Sequence, residues 1–115
     1  MATIYHIAKL EEWERAKRVG IYETSSLASE GFIHCSRSDQ LIRTANRFFS
    51  GQQGLVLLEI DTALVTSEIR YENSEGGTEV FPHIYGTLNL NSVVQVMAFE
   101  HGANGSFVMP IGIST

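Results

Sequence analysis

Leu55-Val56-Leu57-Leu58-Glu59-Ile60 is a nearly continuous apolar run between Gly54 and Asp61-Thr62. Its length is that of a strand. Because apolar side chains fill both of its alternating positions, both faces must be covered. A chain of 115 residues has material for one core, not two. The fold is therefore a single domain over 1–115, with its body at 3–99 and residues 100–115 as a C-terminal extension.

Other elements follow from periodicity. Thr3 to Ala8 is a short β-type run with Ile4, His6 and Ala8 on one face and Tyr5 and Ile7 on the other. Leu10, Trp13, Ala16 and Val19 recur at helical spacing, with acids early, bases late and Gly20 as a stop. The hydroxyl-rich stretch from Ile21 to Ser29 has room for a helical turn before a strand at 31–35. A second helix is predicted over 38–49, with Leu41, Ile42, Ala45, Phe48 and Phe49 on one stripe, Ser36 or Ser38 as cap and Asp39 in the first turn. Strands are predicted at 68–72, 81–86 and 93–99, the second at an edge because Pro82 lacks a donor. Phe107 to Ile113 is read as a further strand or a tail. Strands outnumber helices and the helices come early, so the fold class is α+β with a mixed or mostly antiparallel sheet.

Net charge is −5, which argues against a sequence-independent grip on nucleic acid. Cys35 is the sole cysteine, no apolar run is long enough to span a bilayer, and the N-terminus lacks a secretory pattern. A soluble cytoplasmic domain with no membrane attachment is expected, and nothing in the sequence sets its oligomeric state.

The chemistry concentrates at Glu30-Gly-Phe-Ile-His-Cys-Ser36. His34 and Ser36 share a strand face, and an imidazole beside a hydroxyl suits a polar ligand. His6 and His83 also fall in strands flanked by apolar residues. Each alone reads as a hydrogen-bonded structural histidine, but together they read as a cleft. Acid–base or hydrogen-bonding work is the expected role, and a three-imidazole metal site is the alternative. Cys35 points away from His34 and reads as a buried apolar group. Ser36 serves equally as site residue or helix cap. Arg70 and Glu72 share a face, as an ion pair or a ligand grip.

Ile4-Tyr5-His6-Ile7, Trp13, Ala16 with Gly20, Ser26-Leu27, Glu30 to Ser36, Gln40, Leu58 to Asp61, Arg70-Tyr71-Glu72 and Phe81-Pro82-His83-Ile84-Tyr85-Gly86 closely resemble, in that order, the bacterial domain-of-unknown-function family 952. The match runs from about residue 3 to 99. That family is similar in fold to the ADP-ribosyltransferases and RNA 2′-phosphotransferases, in which two small antiparallel sheets splay around NAD or an ADP-ribosylated intermediate. The resemblance implies a ribose contact at His6 and a role at the nicotinamide side for His34 and Ser36. The transferases carry a glutamate near the fifth strand, whereas Phe81 to Tyr85 holds no acid and Glu79 lies just before it.

The expected function is binding of, or action on, an NAD- or ADP-ribose-like or phosphorylated nucleotide ligand in a histidine-lined cleft. His6, His34, Ser36 and His83 are the expected catalytic groups, and Tyr5, Gln40, Arg70, Glu72 and Tyr85 the expected ligand contacts. Two other classes are a metal-dependent module using His6, His34 and His83, and a non-catalytic interaction domain.

Overall fold

The computed structural model describes residues 2–73 and 76–110. Strand β1 (Thr3–Lys9) leads into helix α1 (Leu10–Val19), followed by β2 (Ile21–Tyr22), α2 (Ser25–Glu30), β3 (Ile33–His34) and α3 (Leu41–Phe48). The second half is β4 (Leu55–Asp61), β5 (Glu68–Glu72), β6 (Phe81–Tyr85), β7 (Leu88–Asn89) and β8 (Val93–Ala98). None of the described helices is long and apolar enough to cross a membrane.

All strand pairings among the described residues are antiparallel, in sheets ordered β1-β4-β8, β2-β7 and β3-β6-β5. The apolar run of β4 is the middle strand of the first sheet. Val56, Leu58 and Ile60 join Ile4, Ala8, Trp13, Ala16, Tyr22, Ile33 and Ile84 in one core. Leu55 and Leu57 join Tyr5, Leu41, Ala45, Phe99 and Phe107 in another. Coverage of both faces is thus what the continuous apolar pattern encodes.

α1 begins with Glu11 and Glu12 and closes with Lys17 and Arg18. Gly20, at φ 98°, donates its N–H to Ala16 O. Only Trp13 and Ala16 of its stripe are buried, with Leu10 and Val19 left exposed. The hydroxyl-rich connection contains α2, the helical turn for which that stretch has room.

Three local expectations are corrected. Pro82 sits in the middle strand of its sheet, not at an edge. Its carbonyl accepts from Cys35 N–H at 3.0 Å, so the missing donor faces β3, and the β3 ladder ends after His34. The chain then crosses to β1, where Ser36 and Tyr5 exchange two backbone hydrogen bonds of 2.8 Å. Neither Ser36 nor Ser38 caps α3. Its first turn opens at Gln40 without a side-chain cap, and Asp39 precedes the helix, paired with Arg37.

Past residue 99 the chain packs on the domain. Phe107 stacks on Phe99 with centroids 4.6 Å apart, and its backbone is held by Asn46, whose Oδ1 accepts from Phe107 N–H at 2.7 Å. The Asn46 amide donates back to Phe107 O at 3.3 Å. Residues 107–110 form no strand, and 111–113 lie outside the described residues.

Candidate functional site

The Tyr5–Ser36 bridge joins the β1 edge of one sheet to the end of β3 in another, and a cleft of about 520 Å³ opens at that junction. Its walls come from β1, the start of α1, α2, β3, α3 and β6. Tyr5, His6, His34, Ser36 and His83 all line it.

His34 and His83 are directly opposed on β3 and β6. Because the neighbouring Cys35–Pro82 position carries the backbone hydrogen bond, theirs is the non-hydrogen-bonded pair, in which side chains stand closest. The rings lie 5.4 Å apart at 74°. Phe32, two residues before His34 on the same face, stacks on His83 at 4.0 Å and meets His34 edge-on at 4.8 Å.

Each imidazole is oriented by one carboxylate. His83 Nδ1–H donates to Glu72 Oε1 at 2.9 Å, and His34 Nε2–H donates to Glu30 Oε2 at 2.8 Å. These bonds fix the neutral tautomers and leave a lone pair on Nε2 of His83 and Nδ1 of His34. Among the described residues neither of those nitrogens has a hydrogen-bond partner. His83 is nearly sealed, whereas the side chains of His34 and Glu30 are half exposed.

Glu72 also accepts from the Tyr85 hydroxyl. Those two bonds, the tyrosine's first and then that of His83, hold its carboxyl below the usual range. The carboxylate in turn raises Tyr85. Arg70 lies over the Tyr85 ring at 4.4 Å and forms its ion pair with Glu68, not with Glu72. Glu72, Tyr85 and Arg70 therefore stand behind His83 and do not line the cleft. These three expected ligand contacts are thus not among the residues that line the cleft.

His6 differs from the other two histidines. Nδ1–H donates to His34 O at 2.5 Å, and Nε2 accepts from the Tyr22 hydroxyl at 2.7 Å. Burial lowers its pKa to about 4, so at neutral pH it is an uncharged ring with both nitrogens in use. The resemblance implied a ribose contact for this ring, and both of its nitrogens are engaged by protein groups. A set of three imidazoles is likewise unavailable. Among the described residues no group of three or more His, Cys, Asp or Glu is placed to hold a metal ion. Burial also raises the Tyr22 hydroxyl and the Cys35 thiol, so Cys35 is not a ready nucleophile.

Ser36 Oγ has no hydrogen-bond partner among the described residues, leaving its hydroxyl for the cleft. Gln40 does not line the cleft. Its Oε1 accepts from Arg37 N–H at 3.0 Å, and its Nε2 donates to Val80 O at 2.7 Å and to Glu79 at 3.1 Å. It latches the turn before α3 to the entry of β6.

Sequence reasoning missed Glu30 as partner of His34, Phe32 as the plate under His83, and Phe48, Phe49 and Phe81 as aromatic wall. The exposed Phe48 on the apolar stripe of α3 is a signal available afterwards, because a stripe residue at 51% exposure faces something other than core. A second hollow, of about 290 Å³, adjoins the cleft and shares Thr44, Phe48 and Phe81 with it.

The family model for "Protein of unknown function (DUF952)" matches residues 7–96. The chain belongs to the DUF952 family. An X-ray structure of protein CC0527 from Caulobacter crescentus is similar at 34% identity and TM-score 0.83, covering 92% of this chain and 93% of that one. The solution NMR structure of CC0527 gives 34% identity and TM-score 0.79, covering 92% and 91%. No curated protein matches. The matched span includes the Gly-Phe-Ile-His-Cys-Ser and Pro-His-Ile-Tyr-Gly stretches of this chain, which hold β3 and most of β6, the strands that carry the opposed histidines.

Proposed function

We propose that the chain is a small enzyme that uses His34 and His83 as a proton-transfer pair on a phosphorylated, nucleotide-like ligand held in the cleft. One observation carries this reading: two imidazoles face each other across adjacent strands, each with one nitrogen bound to a carboxylate and the other without a protein partner, on the wall of a 520 Å³ cleft. That volume falls within the range of small-molecule sites, and the aromatic wall suits a base or another flat ring.

The chemistry fits hydrolysis or transfer at a phosphate ester. His83, with Nε2 unprotonated, takes the proton of an attacking hydroxyl or water. His34, once it has taken up a proton at Nδ1, gives that proton to the departing oxygen, and the Ser36 hydroxyl hydrogen-bonds the ligand between them. Glu72 keeps the His83 lone pair on Nε2, and Glu30 steadies the positive charge of His34. His6 positions the site by holding the His34 carbonyl.

The same reading includes an ADP-ribosyltransferase-like arrangement, in which a ligand such as NAD or ADP-ribose lies between two antiparallel sheets. Supporting it are the antiparallel pairing of both sheets and the position of the cleft at their junction. Glu72 and Glu30 are bonded to histidines, and Glu12, the other glutamate that lines the cleft, stands on α1 and not on the strands that carry the opposed histidines. This favours phosphotransferase-like proton transfer over glutamate-assisted ADP-ribosyl transfer.

The test incubates the protein with NAD, ADP-ribose, and nucleoside 2′-phosphates and cyclic phosphates, with products followed by ³¹P NMR. A product formed by wild type and lost in both His34→Asn and His83→Asn is expected. Equal turnover by the variants, or neither binding nor turnover of any compound by wild type, would overturn the assignment.

A further inference from the structure

We infer that Glu12, together with the hydroxyls at the start of α2, recognises a free vicinal diol of the cleft's ligand, such as that of a ribose. This subsite deepens the proton-transfer reading and rests on it for what happens at the phosphate. α1 packs over β2, with the Trp13 and Tyr22 rings 6.1 Å apart, so Glu12 stands beside the chain that leads from β2 into α2. Glu12 lines the cleft. After burial, its charge is the next cause of the raised Tyr22 hydroxyl, which puts the carboxylate within electrostatic reach of that group. The Tyr22 proton goes to His6, so it does not serve Glu12. Among the described residues the half-buried Glu12 carboxylate has no hydrogen bond and no ion pair. A carboxylate taken partly out of water without a donor is costly, and a ligand that brings donors removes that cost. Lys9, one turn earlier, lines the same cleft and disfavours a cation as that ligand.

The neighbouring hydroxyls point to the same chemistry. Ser26 Oγ–H donates to Phe32 O at 2.8 Å, so the 2.7 Å contact between Thr24 and Ser26 carries the Thr24 proton. Thr24 Oγ1 is left with lone pairs only, and Thr24 lines the cleft as well. Ser25 also lines it, and its Oγ has no hydrogen-bond partner among the described residues. This part of the wall therefore offers mainly acceptors, and it calls for several neutral O–H donors close together. The two oxygens of one carboxylate can accept from both hydroxyls of a vicinal diol, and an acidic residue holds ribose in dinucleotide-binding folds. The aromatic part of the wall, Phe48, Phe49 and Phe81, comes from α3 and β6, so the base and the sugar meet different elements. The class this selects is a nucleotide with free 2′- and 3′-hydroxyls, in preference to a 2′-phosphate or a 2′,3′-cyclic phosphate, in which that diol is blocked.

The test measures binding of 5′-AMP, 2′-deoxy-5′-AMP and 3′-deoxy-5′-AMP by calorimetry, to wild type, Glu12→Gln and Glu11→Gln. The ring nitrogens of His34 and His83 are followed by NMR in parallel. Wild type is expected to bind 5′-AMP about tenfold tighter than either deoxy compound, with the advantage falling to about twofold in Glu12→Gln. Glu11, the other acid in the first turn of α1, is exposed and outside the cleft, so Glu11→Gln is expected to keep the full advantage. A wild type that does not bind 5′-AMP or does not distinguish the three compounds would overturn the subsite. So would an advantage that survives in Glu12→Gln, or one lost equally in Glu11→Gln. If the advantage depends on Glu12 while His34 and His83 stay unmoved, the subsite stands and the proton-transfer reading fails. If both histidines respond alike to all three compounds, bound with equal affinity, the proton-transfer reading stands and the subsite fails.

Discussion

Between the Tyr22 hydroxyl and the His34 carbonyl, the His6 ring has a protein partner on each nitrogen and is almost fully buried. Its folded pKa of about 4 lies below the ordinary 6.5. Above pH 6.5 the ring is neutral whether the chain is folded or not. As pH falls towards 4 the unfolded chain takes up a proton that the native state refuses, so the stability contributed by this residue is lost across that window. The full loss is on the order of 3 kcal/mol. The excess stability of wild type over His6→Gln should therefore shrink by about that amount between pH 6.5 and 4, as read from denaturant midpoints. A gap constant with pH would show that His6 is not held neutral. A histidine flanked by apolar residues advertises burial in the sequence. Its committed nitrogens do not, because Tyr22 and the His34 carbonyl are 16 and 28 residues away.

Among the elements, those with a strong local signal were legible: α1 from its spacing and Gly20, and β4 from its unbroken apolar run. The place of β6 was not. Proline forbids donation on one side only, and here the chain puts the undemanding side of the strand towards β5 and the gap towards the point where β3 leaves the sheet. The Glu72–His83 contact depends on the β5–β6 register, Glu72 opposite Phe81, and the connection is too long for turn chemistry to fix that register. The segment after β8 was ambiguous because its anchors are an aromatic residue, a side-chain amide on a distant helix and hydrogen bonds from Ser50 and Gly51, none of which is local in sequence. Asn46 gives Phe107 a donor and an acceptor. Asn46→Ala should cost about 1–3 kcal/mol and lower Tm by several degrees, with α3 otherwise intact. A melting curve identical to wild type would mean that the segment is held without Asn46, by Phe107 packing and by the hydrogen bonds of Ser50 and Gly51 to the Gly105 carbonyl.

In the whole molecule, two antiparallel sheets meet at the Tyr5–Ser36 bridge, and both the cleft and the opposed histidines sit at that junction. The convergence of His34 and His83 was foreseeable from two strand-borne histidines. The division of labour among the three histidines was not, since it turns on which nitrogen meets which partner. The most direct measurement of the central claim is a long-range ¹H–¹⁵N NMR titration of the histidine rings with ADP-ribose. The expected starting state is the Nδ1–H tautomer for His6 and His83 and Nε2–H for His34. ADP-ribose should move Nε2 of His83 and Nδ1 of His34 while both His6 nitrogens hold still. If ADP-ribose binds while those two nitrogens do not respond, or if His6 alone responds, the His34–His83 pair is not the working part of this cleft.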